Sequence, residues 1–274
     1  MKPGKMKSYI EDAAAPHKLT MSGEPFFREI QIEFLIHELK GPMSVVETGL
    51  RMLLEKKKTY GPLSPKQEKT LRRSLRNARK TRQMLGDLLE IGRSEAGCFL
   101  CSRFNPAEAV YDVLFETLEL APGVQFGNLP EADRFQESLP QFGIHIKIAP
   151  QLTDLVLEQD EKKFRQIFGN LIKNALHHRK ERIDILINQT ENMLCIDVGD
   201  DGPGIKPEHH AFVFRRYTQV NEDTPPITRE GHGLGLAGAF ILARCLGGNI
   251  ELESESGKGA TFRLVLPLRL EMGK

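Results

Sequence analysis

From about Pro25 the apolar residues recur at alternating steps of three and four: Ile32, Leu35, Leu39, Pro42, Val46, Gly49 and Leu53. A 3.5-residue period of this kind marks the seam of a coiled coil or helical bundle. The run ends at TYGPLSP, a turn signal. A second helix is expected from Pro65, because proline suits the first helical turn. Leu71, Leu75, Ala78, Leu85 and Leu89 keep the period, and Arg82 interrupts it at a layer expected to sit at a wet edge. Two long amphipathic helices joined by a short turn make a hairpin whose apolar stripe is poorly covered. Pairing two copies into a four-helix bundle covers it, so a homodimer is expected.

After Ser94–Gly97 the texture changes. Residues 98–104 read as a strand, and NPAEAVYDVLFETLEL reads as a helix with Asn105 as its N-cap. Residues 121–143, rich in Gly, Pro and polar side chains, read as a surface insertion. Strands are expected over 144–148, around Leu155–Leu157, and at IDILIN, MLCIDVGD, IELESES and ATFRLVLPL. Between them lie a helix with Phe164, Ile167, Phe168, Leu171 and Ala175 on one side, and another over about 234–246. Mixed strands and helices after a helical hairpin give an α plus α/β architecture with a joint near 94–98. Residues 1–24 show no sustained period and are expected to be a flexible leader.

Composition narrows the function classes. The 274 residues are 40% hydrophobic and 27% charged, which excludes wholesale disorder. The net charge is +1, and Trp is absent. That balance argues against nucleic acid as a bulk partner. The charge is uneven, however: residues 51–82 hold twelve Lys or Arg against two acids. This run is either a solvated hairpin face or a docking surface for an acidic partner. No apolar window spans a bilayer and no signal peptide is present, so no membrane insertion and a cytoplasmic location are expected. Cys98 and Cys101 form a single CxxC with no second ligand pair, and are expected to be two small side chains in a strand.

Three spaced elements carry candidate chemistry. Asn170 and Asn174 are four apart, on one helix face, where amide oxygens can ligate magnesium and orient phosphates. Asp200 closes a strand and is followed by Gly202 and Gly204. A carboxylate there could accept the amino proton of a purine while the glycines let the backbone approach the ring. Gly231, Gly233 and Gly235 precede a helix, whose free N–H groups would face an anion.

With these elements in order, the chain resembles the catalytic core of a two-component sensor histidine kinase. The resemblance runs from about Phe34 to Pro267. It covers FLIHELKGPMS, DEKKFRQIFGNLIKNALHH, VGDDGPGI, VFRRYTQV and GHGLGLAGAFILARCLGGNIELESESGKGATFRLVLP. It implies a dimerisation and histidine-phosphotransfer hairpin over 25–97, then an ATP-binding domain over 98–274 with the Bergerat α/β sandwich fold. It implies ATP and Mg2+ as cofactors, Asn174 as the metal ligand with Asn170 in support, and Asp200 on adenine. It implies Gly231, Gly233 and Gly235 around the phosphates, with residues 221–230 as a lid carrying Arg229 as a phosphate contact. Phe214 and Tyr217 would pack the base of that lid. His37 would be the phospho-acceptor and Glu38 its general base. The residues themselves agree on His37, which lies 200° around the helix from both Leu35 and Leu39 and so projects to solvent. Pro42 cannot donate to the Glu38 carbonyl, and a kink is expected there.

The chain also departs from the pattern. Gly41 stands where the family places Thr or Asn, which predicts kinase activity with weak phosphatase activity. His177 stands at a position that is often basic, so its help to phosphate would depend on pH. His232 stands where Thr or Ser is common. A leader of about 24 residues cannot form a sensor domain, so the input is expected from a separate sensor or input protein. The partners implied are a second copy and the receiver domain of a response regulator. Three alternatives compete: a nucleotide-deficient phosphotransfer or scaffold dimer, an anti-sigma-type Ser/Thr kinase, and a nucleic-acid binder acting through the basic hairpin.

Overall fold

A computed structural model of the chain describes residues 24–119, 132–152, 154–214 and 235–270, with the side chains of the first helix given from Phe34 onward. Helix α1 (Glu24–Glu55) runs through Pro42, and a short α2 (Lys57–Tyr60) follows it. Helix α3 (Pro65–Glu95) starts with a capping box. The Ser64 hydroxyl accepts the Gln67 N–H at 3.3 Å and the Gln67 side chain accepts the Ser64 N–H at 2.8 Å. It ends at Gly97, which takes φ +75°, a backbone conformation that favours glycine.

The hairpin seam differs from the stripe read in the sequence. Ile36 and Leu54 are buried, and Lys40, Met43, Glu47 and Leu50 between them are half-buried. These residues, again three and four apart, face α3. Leu35 and Leu39 are 56% and 51% exposed, and Val46 is exposed too. The physical reason is that a long helix can carry two apolar stripes. One faces its hairpin partner, and the other, offset by one residue and so by about 100°, is left exposed. The hydrophobic periodicity picked out the second, because polar Lys40 and Glu47 sit in the first. Glu47 is spent there on Arg79 and Arg82, at 3.2 and 2.9 Å. Arg82 therefore sits at a wet edge, half-exposed.

The remainder is a two-layer α/β unit. Strand β1 (Ser102–Phe104) pairs antiparallel with β3 (Leu157–Gln159). The main sheet has the order β2 (Ile144–Ile148), β4 (Ile183–Thr190), β5 (Met193–Asp200), β7 (Ala260–Pro267) and β6 (Asn249–Ser254). The β2–β4 pair is parallel and the others antiparallel. Strict alternation buries one face: Ile183, Ile185 and Ile187 of β4, Leu194, Ile196 and Val198 of β5, and Phe262, Leu264 and Leu266 of β7. Helices α4 (Pro106–Glu119), α6 (Glu161–His178) and α8 (Gly235–Cys245) cover that face, with Phe164, Phe168 and Leu171 fully buried beneath α6. Asn105 caps α4, its side-chain amide oxygen accepting the Ala107 N–H at 2.8 Å. The opposite face is open and carries the Arg263–Asp197 fork at 2.7 and 3.0 Å.

Two local expectations change. Residues 132–142, read as part of a surface insertion, form α5 (Ala132–Ser138) and a 3-10 turn (Leu139–Phe142) whose Phe135 and Leu139 are buried. The remaining residues of that stretch up to Glu131 lie outside the described residues. Residues 98–101 form no strand, and Cys98 and Cys101 are exposed free thiols. Two ion-held carbonyl and amide groups fix this segment in place of a sheet ladder, as described below. Among the described residues no helix is long and apolar enough to cross a membrane.

Candidate functional site

Strand β5 delivers Asp200 to the edge of the core, beyond the last buried residue, Val198. Its carboxylate accepts the Gly202 N–H at 2.9 Å. Burial raises the Asp200 carboxyl above the ordinary aspartate range, the N–H groups of Gly202 and Ala260 partly offset this, and neighbouring Asp201 adds to it. Glycine is required at 202, since a Cβ there would strike the His178 carbonyl and come within 2.6 Å of the Asp200 carboxylate. Gly204 takes φ +69° with its α-carbon against the Glu255 carbonyl. The DGPG turn is thus pressed flat against α6 and the β6–β7 connection.

Helix α6 brings Asn170 and Asn174 to the same edge. Both are half-buried, and neither amide makes a hydrogen bond to any described residue. Unspent amides at the edge of the core are the donor set expected for a magnesium ion that keeps most of its ligands as water and phosphate. Gly235, the first residue of α8, lies beside them: a Cβ there would be 3.7 Å from the Asn170 amide oxygen. The start of α8 therefore faces the asparagines. His177 and His178 close the end of α6, their rings edge-on with centroids 4.7 Å apart. Burial and then the His177 charge hold His178 below the usual histidine range. Phe214 stacks on Phe240 at 4.8 Å and meets Phe262 edge-on at 6.2 Å, so it is built into the core.

Asp200, Gly202, Gly204, Asn170, Asn174, His177 and Gly235 are thus brought together. Arg229, Gly231, Gly233, His232, Tyr217 and the segment 221–230 lie outside the described residues. His37 and Glu38 are exposed on α1. Glu47 fixes the hairpin register on Arg79 and Arg82. With equal rise along antiparallel helices, His37 lies roughly level with Glu90 and Ile91 of α3. The α/β unit rests on that same stretch of α3. Lys162 binds Glu90 at 2.6 Å, Gln166 donates to Asp87 at 3.2 Å, and Ile91, 3% exposed, packs on Gly238 of α8.

Sequence reasoning missed several of these positioning residues. Asp201 accepts the N–H groups of Lys180 and Glu181 and ties the α6–β4 turn to the DGPG loop. Gly259, at φ +91°, lets the β6–β7 turn lie on the Asp200 carbonyl. Lys162, Gln166, Ile91 and Gly238 form the contact between the two halves. An aspartate doublet and a glycine before a strand were visible signals; the contact between halves had none.

Comparisons with known proteins find matches for both parts of the chain. Residues 28–97 match the model of the His Kinase A phospho-acceptor domain, and residues 159–270 match that of the histidine kinase-, DNA gyrase B- and HSP90-like ATPases. The chain is 31% identical over 238 residues to the sensor histidine kinase MtrB of Mycobacterium bovis, covering 85% of this chain and 38% of that protein. It is 29% identical over 268 residues to the sensor histidine kinase WalK of Bacillus subtilis, covering 96% and 39%. The chain therefore spans about two fifths of the length of the curated relatives it matches. Among solved structures, full-length ShkA in complex with AMPPNP is similar in fold, with a TM-score of 0.62 at 22% identity, covering 89% of this chain and 47% of that one. The hairpin followed by a mixed five-stranded α/β sheet, and the two family matches in this order, identify the chain as carrying the catalytic core of a two-component histidine kinase.

Proposed function

We propose that the chain is an ATP-dependent protein-histidine kinase that autophosphorylates His37 and passes the phosphoryl group to an aspartate of a response regulator. One observation carries the reading: unspent asparagine amides, a half-buried aspartate and tightly turned glycines share one edge of an α/β unit that rests on the hairpin at the level of an exposed histidine. ATP with Mg2+ would supply the transferable phosphoryl group and neutralise its charge.

Each residue then has a definite task. Asp200 accepts the exocyclic amine of adenine, and Gly202 and Gly204 let the ring lie against the backbone. Asn174 ligates the metal, and Asn170 supports the phosphate and metal shell. Neither is an acid able to activate water, which favours transfer over hydrolysis. His177 and Gly235 face the phosphates, as do Arg229, Gly231 and Gly233 on the strength of the sequence alone. Glu38 takes the proton from one ring nitrogen of His37 as the other, unprotonated nitrogen attacks the γ-phosphorus. The bond to the bridging oxygen breaks, and ADP leaves with that electron pair. The exposed stripe of Leu35, Leu39 and Val46 forms the second seam of a homodimeric four-helix bundle. Gly41, one turn beyond His37, has no side chain to orient water, which supports weak dephosphorylation of the regulator.

The test separates binding from transfer. The His37→Gln protein should bind ATP with unchanged affinity and accept no phosphate, while Asn174→Ala should lose both magnesium-dependent binding and transfer. Normal phosphate incorporation by His37→Gln would overturn the reading.

A further inference from the structure

Asp160 and Lys163 are almost completely buried, at 2% and 4% exposure. They form an ion pair of 2.9 Å at the N-terminus of α6, the helix that carries Asn170 and Asn174. The aspartate alone suffices to cap that helix, since its other oxygen accepts the Lys163 N–H at 3.1 Å. A buried ammonium adds a desolvation penalty that capping does not require. What the pair gains lies outside the helix. Lys163 donates to the Cys98 carbonyl at 3.0 Å, and Asp160 accepts the Leu100 N–H at 2.9 Å. The lysine also lies over the Phe99 ring, 5.3 Å from its centroid. Both charges are therefore spent on residues 98–100, the chain that leaves α3. Burial pushes the Asp160 carboxyl up, but the Leu100 and Lys163 hydrogen bonds outweigh it and hold it below the ordinary range.

The other side of the same peptide is held by α3. Cys98 donates its N–H to the Arg93 carbonyl at 2.9 Å, and Gly97 donates to Ser94 at 3.0 Å. Cys98 is thus bound through its N–H to the hairpin and through its carbonyl to the ATP-site helix. From these contacts we infer that Asp160 and Lys163 are positioning residues for phosphoryl transfer: they latch the connecting segment to α6 and shorten the joint between the two halves to Gly97 and Cys98. The inference rests on the reading of His37 as phospho-acceptor.

A short joint keeps the γ-phosphate near His37. Without the latch, free chain would extend from Gly97 to Cys101, just before β1. Lengthening a flexible tether from two residues to five lowers the effective concentration of its ends about four-fold, from the −3/2 power of length. Nucleotide binding, made within the α/β unit, is untouched. The signature is a lower kcat for autophosphorylation at constant KM for ATP.

The experiment compares three variants of the full chain. Asp160→Asn with Lys163→Met keeps the helix cap and leaves no lone buried charge. Insertion of Gly-Ser-Gly between Gly97 and Cys98 keeps the latch but lengthens the joint by the same three residues. Lys163→Arg keeps a charged donor beside Asp160. Autophosphorylation of His37 and ATP titration are measured for each. The first two variants should lose about four-fold in kcat with KM and ATP affinity unchanged, and Lys163→Arg should retain most of the wild-type kcat. Wild-type kcat in the double variant or in the insertion overturns the latch alone. So does a loss of kcat that merely follows a loss of ATP binding and melting temperature, which marks a pair that only holds the fold. Absence of label on His37 in the unaltered protein overturns the latch together with the functional reading.

Discussion

Replacing Asp200 by Asn separates the proposed role of this residue in nucleotide binding from its role in the fold. Asn has nearly the same volume, and its amide oxygen can still accept the Gly202 N–H now held at 2.9 Å. The side chain's second group becomes a donor, which would face the donor amine of adenine. A hydrogen bond to a charged acceptor contributes about 1.5–3 kcal/mol, so its loss weakens ATP binding by about 10- to 150-fold. Stability should move the other way, if at all. Burial is the main cause of the raised Asp200 carboxyl, which means the folded state disfavours its charge. Removing that charge relieves the penalty, so the melting temperature of the nucleotide-free protein should hold or rise. Titration calorimetry with ATP and Mg2+, beside a thermal melt without nucleotide, gives both numbers. ATP affinity within three-fold of wild type would refute the adenine assignment. A melt several degrees lower would show that the carboxylate holds the fold instead.

Two further outcomes follow from the same geometry. The ionised Asp200 is the stronger acceptor for the adenine amine, and its pKa is raised in the fold, so ATP affinity should be highest with the carboxylate ionised. It should fall as pH drops through a value above the ordinary 3.8 of aspartate, while Asp200→Asn shows no such step. This group's contribution to stability has the opposite sign, because protonation removes the buried charge and favours the folded state as pH falls. Leu39→Glu should dissociate the dimer. Each buried leucine contributes about 1.5–3 kcal/mol, and the two-fold seam loses two, so the dimer dissociation constant should rise by at least a hundred-fold. Light scattering across a dilution series measures this, and an unchanged dimer would place the second seam elsewhere.

Much of the fold was legible in the chain because two periods dominate it. The alternation of Ile183, Ile185 and Ile187 with Asp184 and Asn188 reads as a strand with one buried face, although Leu186 on the outer face breaks it. The set Phe164, Phe168, Leu171 and Ala175 likewise reads as one helix face. Where the hairpin went astray, two apolar stripes compete on one helix. The stripe through Ile36 is broken by Lys40 and by Glu47, which pairs with Arg79 and Arg82, so the cleaner outer stripe wins the periodicity count. Phe135 and Leu139 were hidden by the Gly- and Pro-rich stretch before them.

The site divides in the same way. Asn170, Asn174 and Asp200 announce themselves by residue type and spacing, and glycines 202 and 204 by the turn they permit. Asp160 and Lys163 look in sequence like any acidic helix start followed by a solvated lysine. Only the path of residues 98–100 shows that both charges are buried and spent on another segment. The packing of Ile91 on Gly238 pairs residues 147 positions apart, and no local pattern encodes such a contact.

The central claim is tested most directly by the chemistry of the phosphate the protein accepts. Incubated with γ-labelled ATP and magnesium, the full chain should take up label that is stable in alkali and labile in acid, as a phosphoramidate is, and His37→Gln should abolish it. Acid-stable label, or label that persists in His37→Gln, would contradict the account.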